Sequence, residues 1–241
     1  MSERATAAGT PATRRDELAA SLAGVRRRID RAMTDAGRSD EVTLVVVTKL
    51  FPATDVDLLS ALGVTDVGEN RDQEASAKVA ELAHRDRLRL HFVGQLQSNK
   101  AASVAHYADV VQSVDRARLA RALDRAATAS GRVLDVTVQV GLDEAEGRGG
   151  VAADGARSLA DLVAGSSSLR LRGVMAVAPL GADPRAAFAR LRAVGDGIRA
   201  DHPGATWVSA GMSADLEAAV AEGATHLRVG SAILGSRQSH R

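Results

Sequence analysis

Apolar residues recur along this chain in two alternating patterns. From Glu17 to Ala36, Leu18, Leu22, Val25, Ile29 and Met33 fall at helical spacing with arginines on the opposite face, and Gly37 ends the run. That pattern predicts one amphipathic helix. Beyond it, short apolar runs predict eight strands, at 43–49, 64–70, 88–95, 109–114, 135–140, 169–177, 206–211 and 226–234. Alanine-rich amphipathic stretches, such as 116–130 and 184–201, lie between them and predict helices. The run TLVVV at 43–47 is apolar at nearly every position, as expected of a strand covered on both faces in a parallel sheet. Eight units in β-then-α order fit a single (β/α)8 TIM barrel with an extra N-terminal helix; a doubly wound open sheet is the alternative. Residues 1–13 carry no such pattern and are expected to form a disordered tail, leaving 14–241 as the barrel domain.

Charge and composition narrow the function classes. The formal net charge is +1, from 31 basic and 30 acidic residues, so there is no electrostatic case for nucleic acid or an anionic membrane. Aromatic residues at 2% leave no platform for stacked bases. With no cysteine, the chain has no disulfide, zinc–thiolate site or cysteine nucleophile. It also lacks a secretory h-region and any apolar stretch of membrane-spanning length, and a soluble, cytoplasmic protein is expected.

Only three of the basic residues are lysines: Lys49, Lys78 and Lys100. Arginine stays protonated and cannot act as a nucleophile at neutral pH, so a lysine kept at the end of an apolar strand points to amine chemistry. The plain alternative is a charged head snorkelling into solvent. In a parallel barrel the C-terminal strand ends carry the site, and Lys49 ends strand 1. Lys78 reads as a surface residue, and Lys100 as a solvated charge opening a helix near the mouth. After strands 7 and 8, Ser209, Gly211 and Ser213 lead into a helix with Ser213 placed as N-cap, and Arg228 is followed by Gly230 and Ser231. Loops at those two strands commonly bind phosphate through free backbone N–H groups that glycine lets a dianion approach. An amine facing a phosphate cradle suits an aldehyde-bearing phosphate ester held as a Schiff base, and pyridoxal 5'-phosphate (PLP) fits that description.

Longer stretches carry a resemblance. VVTK followed by Pro52, GEN at 68–70 with Gln73 and Glu74, HFVGQLQSNK at 91–100, QSVD at 112–115, RGVMAVAP at 172–179 and SAGMSADLEAAVAEGATHLRVGSAILG at 209–235 resemble the pyridoxal phosphate homeostasis proteins. The similarity runs from about residue 17 to 237. It implies a barrel like the N-terminal domain of alanine racemase, of fold type III, with PLP on Lys49 and its phosphate held by Ser213, Gly230 and Ser231. It also implies Arg228 at the pyridine nitrogen, and Asn70, His91, Met175 and Ser209 along the pocket. Leu50 and Phe51, and GLDEAEGRGG at 141–150, depart from common members and put the rim of the pocket in question.

Other candidates carry less. GRGGVA at 147–152 matches a dinucleotide fingerprint, but Asp143, Glu144 and Glu146 beside it would repel a pyrophosphate. His91 is either a proton carrier or a satisfied core residue, and histidines 84, 106, 202, 226 and 240 show no metal spacing. Racemases of this fold take a tyrosine from a second domain. No such domain is expected after strand 8 here, and the only tyrosine is Tyr107. The expectation is a monomeric PLP carrier in vitamin B6 homeostasis, in transient contact with PLP-dependent enzymes. A low-activity racemase and, less favoured, a Schiff-base aldolase are the alternatives.

Overall fold

The computed structural model describes residues 13–142 and 149–235. Its strands are β1 Thr43–Val47, β2 Asp66–Glu69, β3 Arg89–Phe92, β4 Val110–Val114, β5 Leu134–Gln139, β6 Leu169–Met175, β7 Trp207–Ser209 and β8 His226–Val229. The helices are α1 Arg14–Asp35, α2 Ala53–Ala61, α3 Asp72–Glu81, α4 Ala101–Tyr107, α5 Ala117–Ala129, α6 Ala156–Ala164, α7 Pro184–Asp201, α8 Leu216–Ala221 and α9 Ser231–Leu234. All strands pair in parallel in chain order, and β1 closes on β8 from Thr43↔His226 to Val46↔Val229. The sheet is therefore a closed barrel rather than an open one.

The strands are mostly shorter than the apolar runs that predict them, and two boundary differences have a clear physical cause. Most of the expected tail lies outside the described residues, but Thr13 caps α1: its hydroxyl accepts from Asp16 N, and the Asp16 carboxylate accepts from Thr13 N. Satisfying both amide groups sets the helix start. The run at 226–234 is not one strand, because β8 stops at Val229 and the Gly230 carbonyl accepts from Ile233 N and Leu234 N, both at 2.9 Å, to open α9. Ile233 and Leu234 are buried by helical packing, which an apolar run of this length cannot distinguish from a strand.

The two faces of the sheet differ in chemistry. Residues such as Val46, Val67, Phe92 and Val136 pack outward with the apolar stripes of the helices. The lumen is polar. Gln112 on β4 and Ser209 on β7 do not lie on neighbouring strands, yet they hydrogen-bond at 2.7 Å, so both project inward. Asp66, His91, His226 and Arg228 are buried there as well. Polar groups this deep need partners, and their demand for hydrogen bonds organises the barrel below the mouth. No helix among the described residues is long and apolar enough to cross a membrane.

His226 stacks on Trp207, with ring centroids 4.1 Å apart. Burial, with His91, Arg89 and Arg172 adding to it against Asp66, pushes its pKa down to about 3. The unfolded chain then binds a proton between about pH 6.5 and 3 that the folded chain refuses, so stability falls as pH drops through that range. Between pH 6.5 and 5 this one residue costs about 2 kcal/mol. Urea unfolding of cofactor-free protein at pH 7.5 and pH 5 is expected to show at least that loss; equal stabilities would contradict a neutral, buried His226.

Candidate functional site

A cavity of about 570 Å³ opens at the C-terminal mouth of the barrel. Lys49, Asn70, Ser213, Arg228, Gly230 and Ser231 line it, with Val47, Phe51, Val93, Val177 and Met212 among its apolar walls. Six of the ten expected site residues thus meet in one place. His91, Met175, Ser209 and Gly211 are not among the lining residues. His91, Met175 and Ser209 are buried in the barrel. Gly211 serves the loop: at φ +88°, a Cβ there would come within 2.6 Å of the Ala219 Cβ.

Lys49 sits just beyond β1, half-buried in a turn closed by the Phe51 N to Thr48 O hydrogen bond at 3.1 Å. The next residue, Leu50, has φ +67°, a left-handed conformation costly for a branched side chain. The Glu74 carboxylate accepts from Leu50 N and holds that strain in place. Glu74 is tied in turn to Lys78, which the sequence reading left on the surface and the structure buries at 7% exposure. Lys78 Nζ donates to Thr48 O at 2.8 Å, to Glu69 Oε1 at 2.7 Å and to Glu74 Oε1 at 3.3 Å. Glu69 Oε1 also accepts from Thr48 Oγ1 at 2.6 Å. One buried ammonium therefore grips the backbone on the N-terminal side of Lys49, and its carboxylate partner grips the backbone on the other. Burial pushes Glu69's carboxyl up, and its bonds to Lys78 and Thr48 oppose that. The signal was present in the sequence: Glu69 ends a fully buried strand and needs a cation, and Lys78 follows Glu74 by one helical turn.

Across the cavity, Ser213 Oγ accepts from Ser231 Oγ at 3.2 Å and from Ala232 N at 3.3 Å. Ser213 is not the N-cap expected of it. The helix begins only at Leu216, and Asp215 accepts from Met212 N at 2.6 Å, which leaves the Ser213 hydroxyl free to turn toward α9. Gly230 lets this loop touch β1, since a Cβ there would stand 3.0 Å from Val47 O. The extra helix α1 clamps both loops. Arg28 Nη2 donates to Ser213 O at 3.1 Å while paired with Glu217, and Arg14 Nη2 donates to Leu234 O at 3.2 Å while paired with Asp55.

Arg228 forms the floor. Burial pushes its pKa down to about 10, which leaves it cationic at neutral pH. Its Nη1 donates to Ser209 Oγ at 2.6 Å and its Nη2 to Ala176 O at 2.8 Å. Ser209 Oγ donates to Gln112 Oε1, Gln112 Nε2 lies 2.8 Å from His91 Nδ1, and His91 Nε2 lies 2.9 Å from Asp66 Oδ1. Of the two readings of His91, the satisfied core residue matches this placement.

A second hollow, of about 850 Å³, shares Asn70 with the first and is lined also by Lys100 and Arg116. Lys100 is 3.9 Å from Asp72 and 40% exposed, a solvated charge as expected. Tyr107 ends α4 and is buried outside both hollows; burial, with Asp72 and Glu69 nearby, pushes its phenol far up. Asp143, Glu144, Glu146 and part of GRGGVA lie outside the described residues, as does His240. Among the described residues, no three His, Asp or Glu side chains are placed to hold a metal ion.

Comparison with known proteins decides the family. Residues 21–238 match the alanine racemase N-terminal domain. A pyridoxal phosphate homeostasis protein of Mycobacterium tuberculosis is 44% identical over 244 residues, covering 93% of this chain and 95% of the relative. The chain belongs to the pyridoxal phosphate homeostasis family. Among solved structures, PipY of Synechococcus elongatus PCC7942, with PLP bound, superposes at a TM-score of 0.80 with 35% identity, over 90% of this chain and all of that one. Alanine racemase of Corynebacterium glutamicum shares the fold at a TM-score of 0.68 and 13% identity, with 94% of this chain covering 62% of it. Leu50 and Phe51 fall at the rim: Leu50 is 48% exposed, and Phe51 lines the cavity wall.

The buried ion pair makes a definite expectation. Lys78→Met strands Glu69, and such losses cost about 3 kcal/mol or more. Glu69→Gln in the same chain removes the uncompensated charge and is expected to recover at least half of that in urea unfolding. Additive losses in the double variant would contradict the pairing.

Proposed function

We propose that this cavity holds PLP covalently on Lys49 and that the protein acts as a PLP reservoir in vitamin B6 homeostasis. The observation that carries the reading is the β1–β8 seam. It brings a half-buried primary amine and a pair of serine hydroxyls to the lining of one cavity. The donor set fits the cofactor: an amine for the aldehyde, two serine hydroxyls for the phosphate, and a fixed cation for the ring. When bound, PLP supplies an aldehyde that condenses with a primary amine, with loss of water.

The chain's own groups do the rest. The Lys78–Glu69–Glu74 cluster fixes the turn that carries Lys49. Ser213 would donate to the phosphate, Ser231 would do so by turning its hydroxyl away from Ser213, and Gly230 leaves room for the group. Arg228, held from behind, presents its remaining N–H groups to the pyridine nitrogen; a guanidinium does not give up a proton there, which restrains carbanion chemistry. Support comes from PipY, described with PLP bound, and from relatives named for PLP homeostasis. The racemase reading is less favoured, because Tyr107, the sole tyrosine, is not at this cavity. A monomeric, cytoplasmic state and transient contact with PLP-dependent enzymes belong to the same proposal.

Borohydride treatment of PLP-loaded protein is expected to fix a pyridoxyl-phosphate mass on the Lys49 peptide; label on Lys78 or Lys100 instead would overturn the assignment. Replacing Ser213 and Ser231 together by alanine is expected to weaken PLP by about tenfold or more while leaving pyridoxal within about threefold, since only phosphate contacts are lost. Equal losses for both vitamers would contradict the cradle. Amino-acid racemisation is expected to stay far below the rates of dedicated racemases.

A further inference from the structure

One arrangement of protons along the polar chain under Arg228 gives every donor an acceptor while His91 stays neutral. Arginine donates and cannot accept. Ser209 Oγ accepts from Arg228 Nη1, and its single proton, buried with the residue, finds its acceptor in Gln112 Oε1 at 2.7 Å. That fixes the Gln112 amide with its nitrogen toward His91, and an NH2 group can only donate to Nδ1. His91 must then carry its proton on Nε2 and give that hydrogen bond to Asp66. Every donor points the same way, from a buried cation on β8 to a carboxylate on β2. Burial would raise Asp66, but its bonds from His91 and Thr65 outweigh it and hold the carboxyl below its ordinary range.

We propose that Asp66, His91, Gln112 and Ser209 form a one-way hydrogen-bonded relay that holds Arg228 in its cofactor-facing orientation. Asp66, His91 and Gln112 are then positioning residues for the ring of bound PLP, although none of them lines the cavity. The role toward PLP rests on the proposed function; the relay itself does not.

Aligned dipoles ending on opposite charges polarise one another and make the chain stiffer than its separate bonds. The relay also resists protonation of His91. A proton on Nδ1 would face the Gln112 NH2 group, and turning that amide over would leave the buried Ser209 proton without its acceptor. Burial lowers the His91 pKa in the same sense. The charged and titratable groups facing the ring divide: Arg89 opposes a second proton, Asp66 and Asp109 favour one, and His226, 6.4 Å away, is uncharged near neutral pH. Asp66 already accepts the Nε2 proton and satisfies the neutral ring, and the amide blocks the other nitrogen.

Long-range 1H–15N spectra of histidine-labelled, cofactor-free protein test the relay without any ligand. His91, assigned with a His91→Gln variant, is expected to remain a neutral Nε2–H tautomer from pH 8 to pH 5.5. An Nδ1–H tautomer, or titration near pH 6.5, would overturn the relay. Gln112→Met breaks it at nearly constant volume. With melting and circular dichroism confirming the fold, this variant is expected to lose about tenfold in affinity for PLP and for pyridoxal alike, and to move the visible band of the bound vitamer. Unchanged affinities and spectrum would overturn the positioning role. Should wild-type protein bind neither vitamer, the functional reading fails while the tautomer result still decides the relay.

Discussion

Closure of β1 onto β8 is the constraint on which the rest depends. Four register pairs, from Thr43↔His226 to Val46↔Val229, place the first strand of the barrel against its last. Residues 181 positions apart then share one wall: Lys49 follows β1, while Gly230 and Ser231 follow β8. The contact is close: a Cβ at position 230 would lie 3.0 Å from Val47 O, tighter than side chains usually pack. An open sheet would leave β1 and β8 as unpaired edges and part the amine from the serines.

Around that seam the structure rests on three supports, each with its own chemistry. A buried ion-pair cluster centred on Lys78 fixes the turn before and after Lys49, including the left-handed Leu50. Helix α1, outside the eight-unit repeat, ties down both serine-bearing loops through arginines bound to backbone carbonyls. The polar lumen supports Arg228 from below through a chain that runs across the barrel from β8 to β2. Two of the three depend on burying charge, which is costly to break and gives the mouth of the barrel a single arrangement.

The fold was largely legible in the sequence because each strand is a short apolar run and each helix an amphipathic one. The order β-then-α leaves few topologies open. The C-terminal strand ends located Lys49, Asn70, Arg228, Gly230 and Ser231 for the same reason. What escaped was set by three-dimensional pairing. Lys78 lies among polar helix neighbours and looks solvated until Glu69 is seen across from it. Ser213 has the spacing of an N-cap, but Asp215 bonds the loop backbone and frees it for a different partner. His91 and Ser209 alternate into the lumen correctly, yet periodicity gives no depth along the barrel axis and cannot separate a pocket wall from the layer beneath it. The 226–234 run failed at Gly230, where an apolar strand and an apolar helix share one continuous pattern.

A crystal structure of the protein grown with PLP tests the central claim most directly. Continuous electron density from Lys49 Nζ to the ligand is the expected result, with the phosphate on Ser213 and Ser231 and the ring nitrogen on Arg228. Ligand density detached from Lys49, or a phosphate seated away from the two serines, would contradict the account.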